Sequence, residues 1–146
     1  MIKYRNYKEK DIELIAPLYL GYFNLYEEAT WTLEKVVKKL KQLFVREDVV
    51  GLIQFDNESI IGFAVGQNTQ FDDGIIFELN EIFVTKEYQN KGLGSELLKK
   101  IEQEAKKSGA FRIQLVSIDD DSHNYFYNEK HGFGNAKNNV IKTKSL

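Results

Sequence analysis

Apolar and polar positions change rhythm several times along this chain, and the changes divide it into elements. Ile2 to Asn6 reads as a short strand. Asp11 is placed to cap a helix with Ile12, Ile15, Leu18, Tyr19, Tyr22, Phe23 and Tyr26 on roughly one side, which Pro17 should kink or divide. Thr32 then caps a second helix whose apolar residues Leu33, Val36, Val37, Leu40, Leu43 and Phe44 recur at i, i+3, i+4 and i+7. Val49 to Phe55 and Ile60 to Val65 read as antiparallel strands joined by the turn Asp56-Asn57-Glu58-Ser59, and Gly66 to Gly74 as a polar loop. Ile75 opens a buried strand that carries Leu79, Ile82, Phe83 and Val84 and ends near Thr85. From Leu93 the positions Leu97, Leu98, Ile101 and Ala105 return to helical spacing until Ser108-Gly109. Phe111 to Ile118 alternates as a strand, Asp119-Asp120-Asp121-Ser122 offers caps for a short helix through Lys130, and Asn139 to Lys144 reads as a last strand.

Strand, helix and strand in the order Ile75–Ser108–Ile118 imply a right-handed crossover with parallel pairing. The helix N-terminus then opens at the C-terminal end of the first strand, where ligands of such units bind. The linking segment Gln89-Asn90-Lys91-Gly92-Leu93-Gly94 has no apolar period of its own. Free backbone N–H groups and the positive end of the helix dipole make that turn an anion site, and glycine removes the Cβ atoms that would hold a phosphate away. The segment contains no GxxxxGK[ST], and GLGSEL lacks the third glycine of a dinucleotide fingerprint. Nucleotide hydrolysis and nicotinamide binding therefore fit poorly.

Composition narrows the chemistry further. At 146 residues, 42% of them hydrophobic, the chain has the size and core of one domain. A net charge of -2, with no segment concentrating Lys and Arg among aromatics, argues against nucleic acid. The absence of cysteine excludes a thiol nucleophile, a disulfide framework and a Cys-ligated zinc, and two histidines leave little for another metal. His123 and His131 read as residues at the two ends of the last helix, and no metal is expected. No targeting segment or membrane-length apolar run is evident, so a cytoplasmic protein without membrane partners is expected.

Gln89, Gly92 and Gly94, which follow a strand ending in Ile82-Phe83-Val84, form a QxxGxG pattern that resembles the pyrophosphate loop of the GNAT acetyltransferases. The order of elements is similar to that family over nearly the whole chain. EKHGF resembles its FYxKxGF signature, with one residue more between Phe126-Tyr127 and Gly132-Phe133. The resemblance implies an α/β (α+β) fold over residues 1–146. Its sheet would be mixed and largely antiparallel, with one parallel strand pair splayed around the coenzyme A site and helices on both faces. It implies that Ile82, Phe83 and Val84 receive the acetyl and pantetheine portion of acetyl-CoA, and that Gln89, Asn90, Lys91, Gly92, Leu93, Gly94 and Ser95 hold its pyrophosphate. Tyr127 is the candidate acid for the leaving thiolate, with Tyr125 and Asn128 left open by the extra residue.

Acetyl transfer to an amine requires a proton acceptor, because an alkyl amine with a pKa of about 10.4 is almost wholly ammonium at neutral pH. Glu78 matches a position where some family members carry a general base, and Glu81 one that in others contacts a basic substrate. A regular strand places the two on opposite faces, so only one should face the reacting carbon unless a bulge intervenes. The expected activity is direct N-acetylation of a primary amine on a basic small molecule or peptide in a ternary complex, with no covalent enzyme intermediate. A non-catalytic acyl-CoA-binding module is the alternative. A homodimer is left open.

Overall fold

The computed structural model describes residues 1–146, which form two compact units, Met1–Leu115 and Val116–Leu146. The first unit contains β1 (Ile2–Asn6), α1 (Asp11–Tyr26), α2 (Leu33–Phe44), β2 (Val49–Asp56), β3 (Ser59–Phe71), β4 (Gly74–Val84), a 3₁₀ turn at Lys86–Tyr88, α3 (Leu93–Lys107) and β5 (Ala110–Leu115). Its five strands lie in the order β1-β2-β3-β4-β5, antiparallel throughout except for the parallel pair β4 and β5. This is the mixed, largely antiparallel sheet that the family resemblance implied.

One face of the sheet carries α1 and α2. Ile12, Ile15, Ala16 and Tyr19 of α1 and Val36, Leu40 and Phe44 of α2 close a core with Ile53, Phe63, Val65 and Phe83 of the strands. Most of the aromatic stripe of α1 is core packing: the Tyr19 and Phe23 rings lie 4.4 Å apart at a tilt of 34°, and both lie about Phe83. α3 lies on the opposite face, where Asn68 Nδ2 donates to the Ala105 carbonyl at 3.1 Å. Leu97, Leu98, Ile101 and Ala105 are its buried stripe, as their spacing predicts.

Several boundaries differ from those read in the sequence. The polar tract Gly66–Phe71 is strand rather than loop, because β4 begins at Gly74 and pairs with it through a two-residue hairpin, Phe71 opposite Gly74. A partner strand here overrides the weak β-propensity of Gln67, Asn68 and Gln70. Pro17 leaves α1 undivided. Asp11 is its first residue rather than its cap, and its buried carboxylate accepts from Arg5 Nη1 and Nη2, each at 2.7 Å, and from the Lys8 N–H at 2.8 Å.

That ion pair ties β1 to α1 and has a pH signature. Burial pushes the Asp11 carboxyl up, but the Arg5 and Lys8 hydrogen bonds outweigh it and hold the group below the ordinary range. A depressed carboxyl stabilises the fold above its unfolded pKa, and that stability is lost as pH falls through the folded value. Asp11→Asn should therefore cost about 2 kcal/mol at neutral pH, less than a fully buried pair because the Arg5 left behind reaches water. Urea denaturation should find the gap from wild type closing in acid. A gap that stays constant down to the acid limit would assign the loss to packing instead.

The second unit contains α4 (Asp121–Asn124), continued by a π-helix over Tyr125–Lys130. Asp120 is the cap, its Oδ1 accepting from the His123 N–H at 2.8 Å and lying 2.7 Å from His123 Nδ1. The expected closing strand at Asn139–Lys144 does not form; this tract has no regular structure, and Val140 and Ile141 are exposed. Its two apolar residues fall side by side, so neither face of a strand would be apolar.

Candidate active site

β4, the turn that follows it and the first residues of α3 contain all the first unit's predicted site residues. The parallel pairing of β4 with β5 runs from Ile75 opposite Ala110 to Leu79 opposite Leu115 and stops. From Asn80 to Val84, β4 keeps β3 on one side and has no β5 partner on the other. Ile82, Phe83 and Val84 lie in this unpartnered length, where main-chain N–H groups can serve a ligand's oxygen.

A bulge sits at the start of that length. Val65 pairs with Glu81 and Gly66 with Leu79, leaving Asn80 extra on β4. Gln67, two residues from Val65 along β3, pairs with Glu78, so Glu78 and Glu81 project from the same face, that of α1 and α2. The regular-strand expectation of opposite faces is thus corrected by one inserted residue. Gly66 makes the bulge possible, since a Cβ there would collide with the Glu78 carbonyl and stand 2.6 Å from the Phe77 ring. Arg46 secures it from the end of α2, donating from Nη2 to Asn80 Oδ1 at 2.7 Å and from Nε to the Leu43 carbonyl at 2.8 Å.

The two glutamates have different surroundings. Glu81 Oε1 accepts from the Tyr19 hydroxyl at 3.0 Å and lies 3.7 Å from Lys39 Nζ, which itself lies 6.0 Å from the Trp31 ring. Burial pushes the Glu81 carboxyl up, against the lowering pull of Tyr19 and Lys39. Burial and the Glu81 charge in turn push the Tyr19 phenol well up, so it remains a donor. Glu78 Oε2 accepts from Gln114 Nε2 at 3.1 Å across the parallel pair. Sequence reading missed Tyr19 and Lys39 as partners of Glu81: Tyr19 was visible as part of an aromatic stripe, and Lys39 carried no signal among the many lysines of α2.

The turn after β4 is built as an open cradle. Gln89 Nε2 donates to the Val84 carbonyl at 2.9 Å, and Lys91 Nζ lies over the Tyr88 ring at 5.3 Å. Asn90 and Gly92 take left-handed backbone angles, φ 62° and 78°. Gly92 is the N-cap of α3, no side chain caps that terminus, and beyond Gly92 and its two chain neighbours nothing lies within 4 Å of where a Gly92 Cβ would stand. An anion therefore has clear access to the first-turn N–H groups. These features fit a pyrophosphate on Gln89–Ser95 and a thioester arm along Ile82–Val84.

A cavity of about 250 Å³ opens on the α1 side of the strand's end, walled by Gly21, Tyr22, Leu25, Tyr26, Phe83 and Lys86. Lys86 Nζ lies 5.1 Å from the Tyr26 ring centroid.

In the second unit the π-helix spans both sides of Tyr127, a widened turn of the kind that can accommodate one inserted residue. Tyr127 is half-buried, edge-on to Phe126 at 5.0 Å and to Phe133 at 5.5 Å, and its carbonyl accepts from the Phe133 N–H. Tyr125 is exposed, and Asn128 Nδ2 donates to Asn135 Oδ1 at 3.1 Å.

The profile of the acetyltransferase (GNAT) family matches residues 14–133. The chain belongs to that family. As a GNAT acetyltransferase it shares its fold with solved structures of low sequence identity. A possible acetyltransferase from Clostridium difficile 630 is 16% identical, with 100% of this chain and 99% of that one covered and a TM-score of 0.83. A GNAT family acetyltransferase from Staphylococcus aureus subsp. aureus is 21% identical, covering 99% and 98%, with a TM-score of 0.73. The aminoglycoside N-acetyltransferase AAC(6')-Iy in complex with CoA is 13% identical, covering 100% and 96%, with a TM-score of 0.77. No curated protein matches the chain. The enzyme is an acetyl-CoA-dependent N-acetyltransferase, no helix is long and apolar enough to cross a membrane, and no group of three or more His, Asp or Glu side chains could hold a metal ion.

Proposed function

We propose that this acetyltransferase N-acetylates a primary amine of a basic small molecule or peptide by direct attack in a ternary complex. The observation that carries the proposal is the bulge at Asn80, which turns Glu78 and Glu81 to one face at the start of the unpartnered length of β4. Two carboxylates there give an ammonium acceptor both an ionic anchor and a proton acceptor. Of the two, Glu81 is the better base, because burial makes its carboxylate more basic than an ordinary glutamate. Glu78, joined to β5 through Gln114, anchors the acceptor's charge.

Acetyl-CoA supplies the activated thioester carbonyl. Main-chain N–H groups within Gln89–Ser95, other than that of Gln89, which donates to the Lys86 carbonyl, would hold its pyrophosphate, and those of Ile82 to Val84 would hold its acyl arm and donate to the thioester oxygen. Glu81 takes the amine proton at Oε1 or Oε2, and Tyr127, assigned through its place in the FYxKxGF signature, gives its hydroxyl proton to the departing sulfur. The cavity beside Tyr22, Tyr26 and Phe83 has the aromatic walls that suit the body of an organic cation. An aminoglycoside or polyamine belongs to this chemical class. The domain is read as a single acetyltransferase unit over residues 1–146 working in the cytoplasm.

The test is thiol release from acetyl-CoA across polyamines, aminoglycosides, amino acids and peptides. Turnover is expected with polycationic amines and not with neutral or acidic ones. Protein that binds acetyl-CoA and releases thiol with no amine of the panel would overturn the amine acceptor.

A further inference from the structure

The turn between β4 and α3 is gripped at three points by the hairpin of β2 and β3. At its start, the Thr85 N–H donates to the Ile61 carbonyl at 2.8 Å. Ile61 is the residue left over where the pairing shifts between Gln54 opposite Gly62 and Phe55 opposite Ile60. Further along, the Tyr88 hydroxyl donates to Asp56 Oδ2 at 2.8 Å. At its end, Gln54 Nε2 donates to the carbonyl of Leu93, the first residue of α3, at 3.1 Å, and to the Tyr4 hydroxyl oxygen at 2.9 Å.

Gln54 is an unusual occupant for the middle of a sheet. It has no exposed surface, and its Oε1 is buried with no hydrogen-bond partner. A leucine would fill similar space without desolvating an amide, so packing alone does not explain the residue. The neighbouring strand is built to admit it. A Cβ on Gly62 would stand 2.7 Å from Gln54 Oε1 and 2.6 Å from the Phe83 carbonyl oxygen. Tyr4 completes the arrangement from β1: burial, with Glu96 of the first turn of α3 beside it, pushes its hydroxyl up to about 12, so the phenol keeps its proton. The Leu93 carbonyl and the Glu96 side chain are thus both reached from the sheet.

We propose that Gln54 is a positioning residue for the coenzyme A turn, fixing the N-terminus of α3 through the Leu93 carbonyl with Tyr4 as its second anchor. The inference rests on the proposed placement of pyrophosphate on Gln89–Ser95. Preorganised N–H groups stabilise an anion only while they stay aimed at it, and Gln54 holds their aim from the sheet.

The test is calorimetric binding of two probes, CoA and pantetheine, the second carrying the same thiol arm without the pyrophosphate. Wild type should bind CoA more tightly. Gln54→Leu should weaken CoA by about tenfold, the value of one ordinary hydrogen bond, that to the Leu93 carbonyl, and leave pantetheine unchanged. Its melting temperature should stay near wild type, because the orphaned oxygen goes with the amide. Tyr4→Phe should shift CoA in the same direction by less, and it carries the test should Gln54→Leu fail to fold. Equal weakening of both probes, or no change in either, would overturn the positioning role. If wild type binds pantetheine as tightly as CoA, the placement of the pyrophosphate is itself overturned, whatever the variants do.

Discussion

Glu81→Gln is expected to lower kcat by about 10²- to 10⁴-fold, the range lost when a base acting in the transition state is removed. Glutamine has the size of glutamate and can still accept from the Tyr19 hydroxyl, so the fold around the site should survive. The diagnostic is the pH profile. A base works only when deprotonated, so the rate rises with pH through its pKa, and burial moves the Glu81 value upward. The wild-type profile should therefore fall on its acidic side above the ordinary glutamate range, and Glu81→Gln should lose that limb. Glu78→Gln should chiefly raise the KM of the acceptor, since Glu78 is assigned charge anchoring rather than proton transfer. If both variants keep wild-type turnover from acid to alkaline pH, the amine loses its proton to water before binding and neither carboxylate is the base.

Lys39 bears on the same experiment. Its ammonium lies 3.7 Å from Glu81 Oε1, so an acceptor ammonium reaching Glu81 enters a place already shared with a cation. Burial pulls the carboxyl toward its neutral form, and Lys39 with Tyr19 pulls it back toward the charged one. Neither influence could be read from the sequence, because Tyr19 and Lys39 reach Glu81 only through the packing of α1 and α2 on the sheet. What could be read was local. The passage from β4 through a glycine turn into α3 is written in consecutive residues, and its apolar spacing alone gives strand, turn and helix. The parallel pairing of β4 with β5 followed from the strand-helix-strand order of that stretch.

Features that depend on a partner strand were illegible. The extension of β3 through Gln67–Phe71 exists because β4 lies against it, and no period within those residues announces it. The Asn80 bulge is a mismatch between two strands, invisible in either one, yet it reverses the expected facing of Glu78 against Glu81. Asn139–Lys144 shows the converse. Its β-prone Val140 and Ile141 suggested a strand, but residues of that type do not form one without an apolar face to bury.

Tyr127→Phe is expected to lower kcat strongly, toward the 10²-fold end of general-acid losses, with little change in CoA affinity. The extra residue before EKHGF was visible in the sequence, and Tyr125–Lys130, on both sides of Tyr127, form a π-helix, the widened turn that an inserted residue favours. In an α-helix one residue of offset rotates a side chain by about 100°, enough to exchange Tyr127 for Asn128 at a fixed point. The distinction matters chemically: a phenol can give a proton to a thiolate, while an amide can only hydrogen-bond to it. Asn128 already donates to Asn135, so Asn128→Ala should leave kcat nearly unchanged. Tyr125, exposed at the start of the π-helix, should be equally silent as phenylalanine. Steady-state kinetics on the three variants separates the assignments. Normal turnover by Tyr127→Phe together with an impaired Tyr125→Phe or Asn128→Ala would move the acid to the impaired position, and three silent variants would mean that thiolate release uses no side-chain acid.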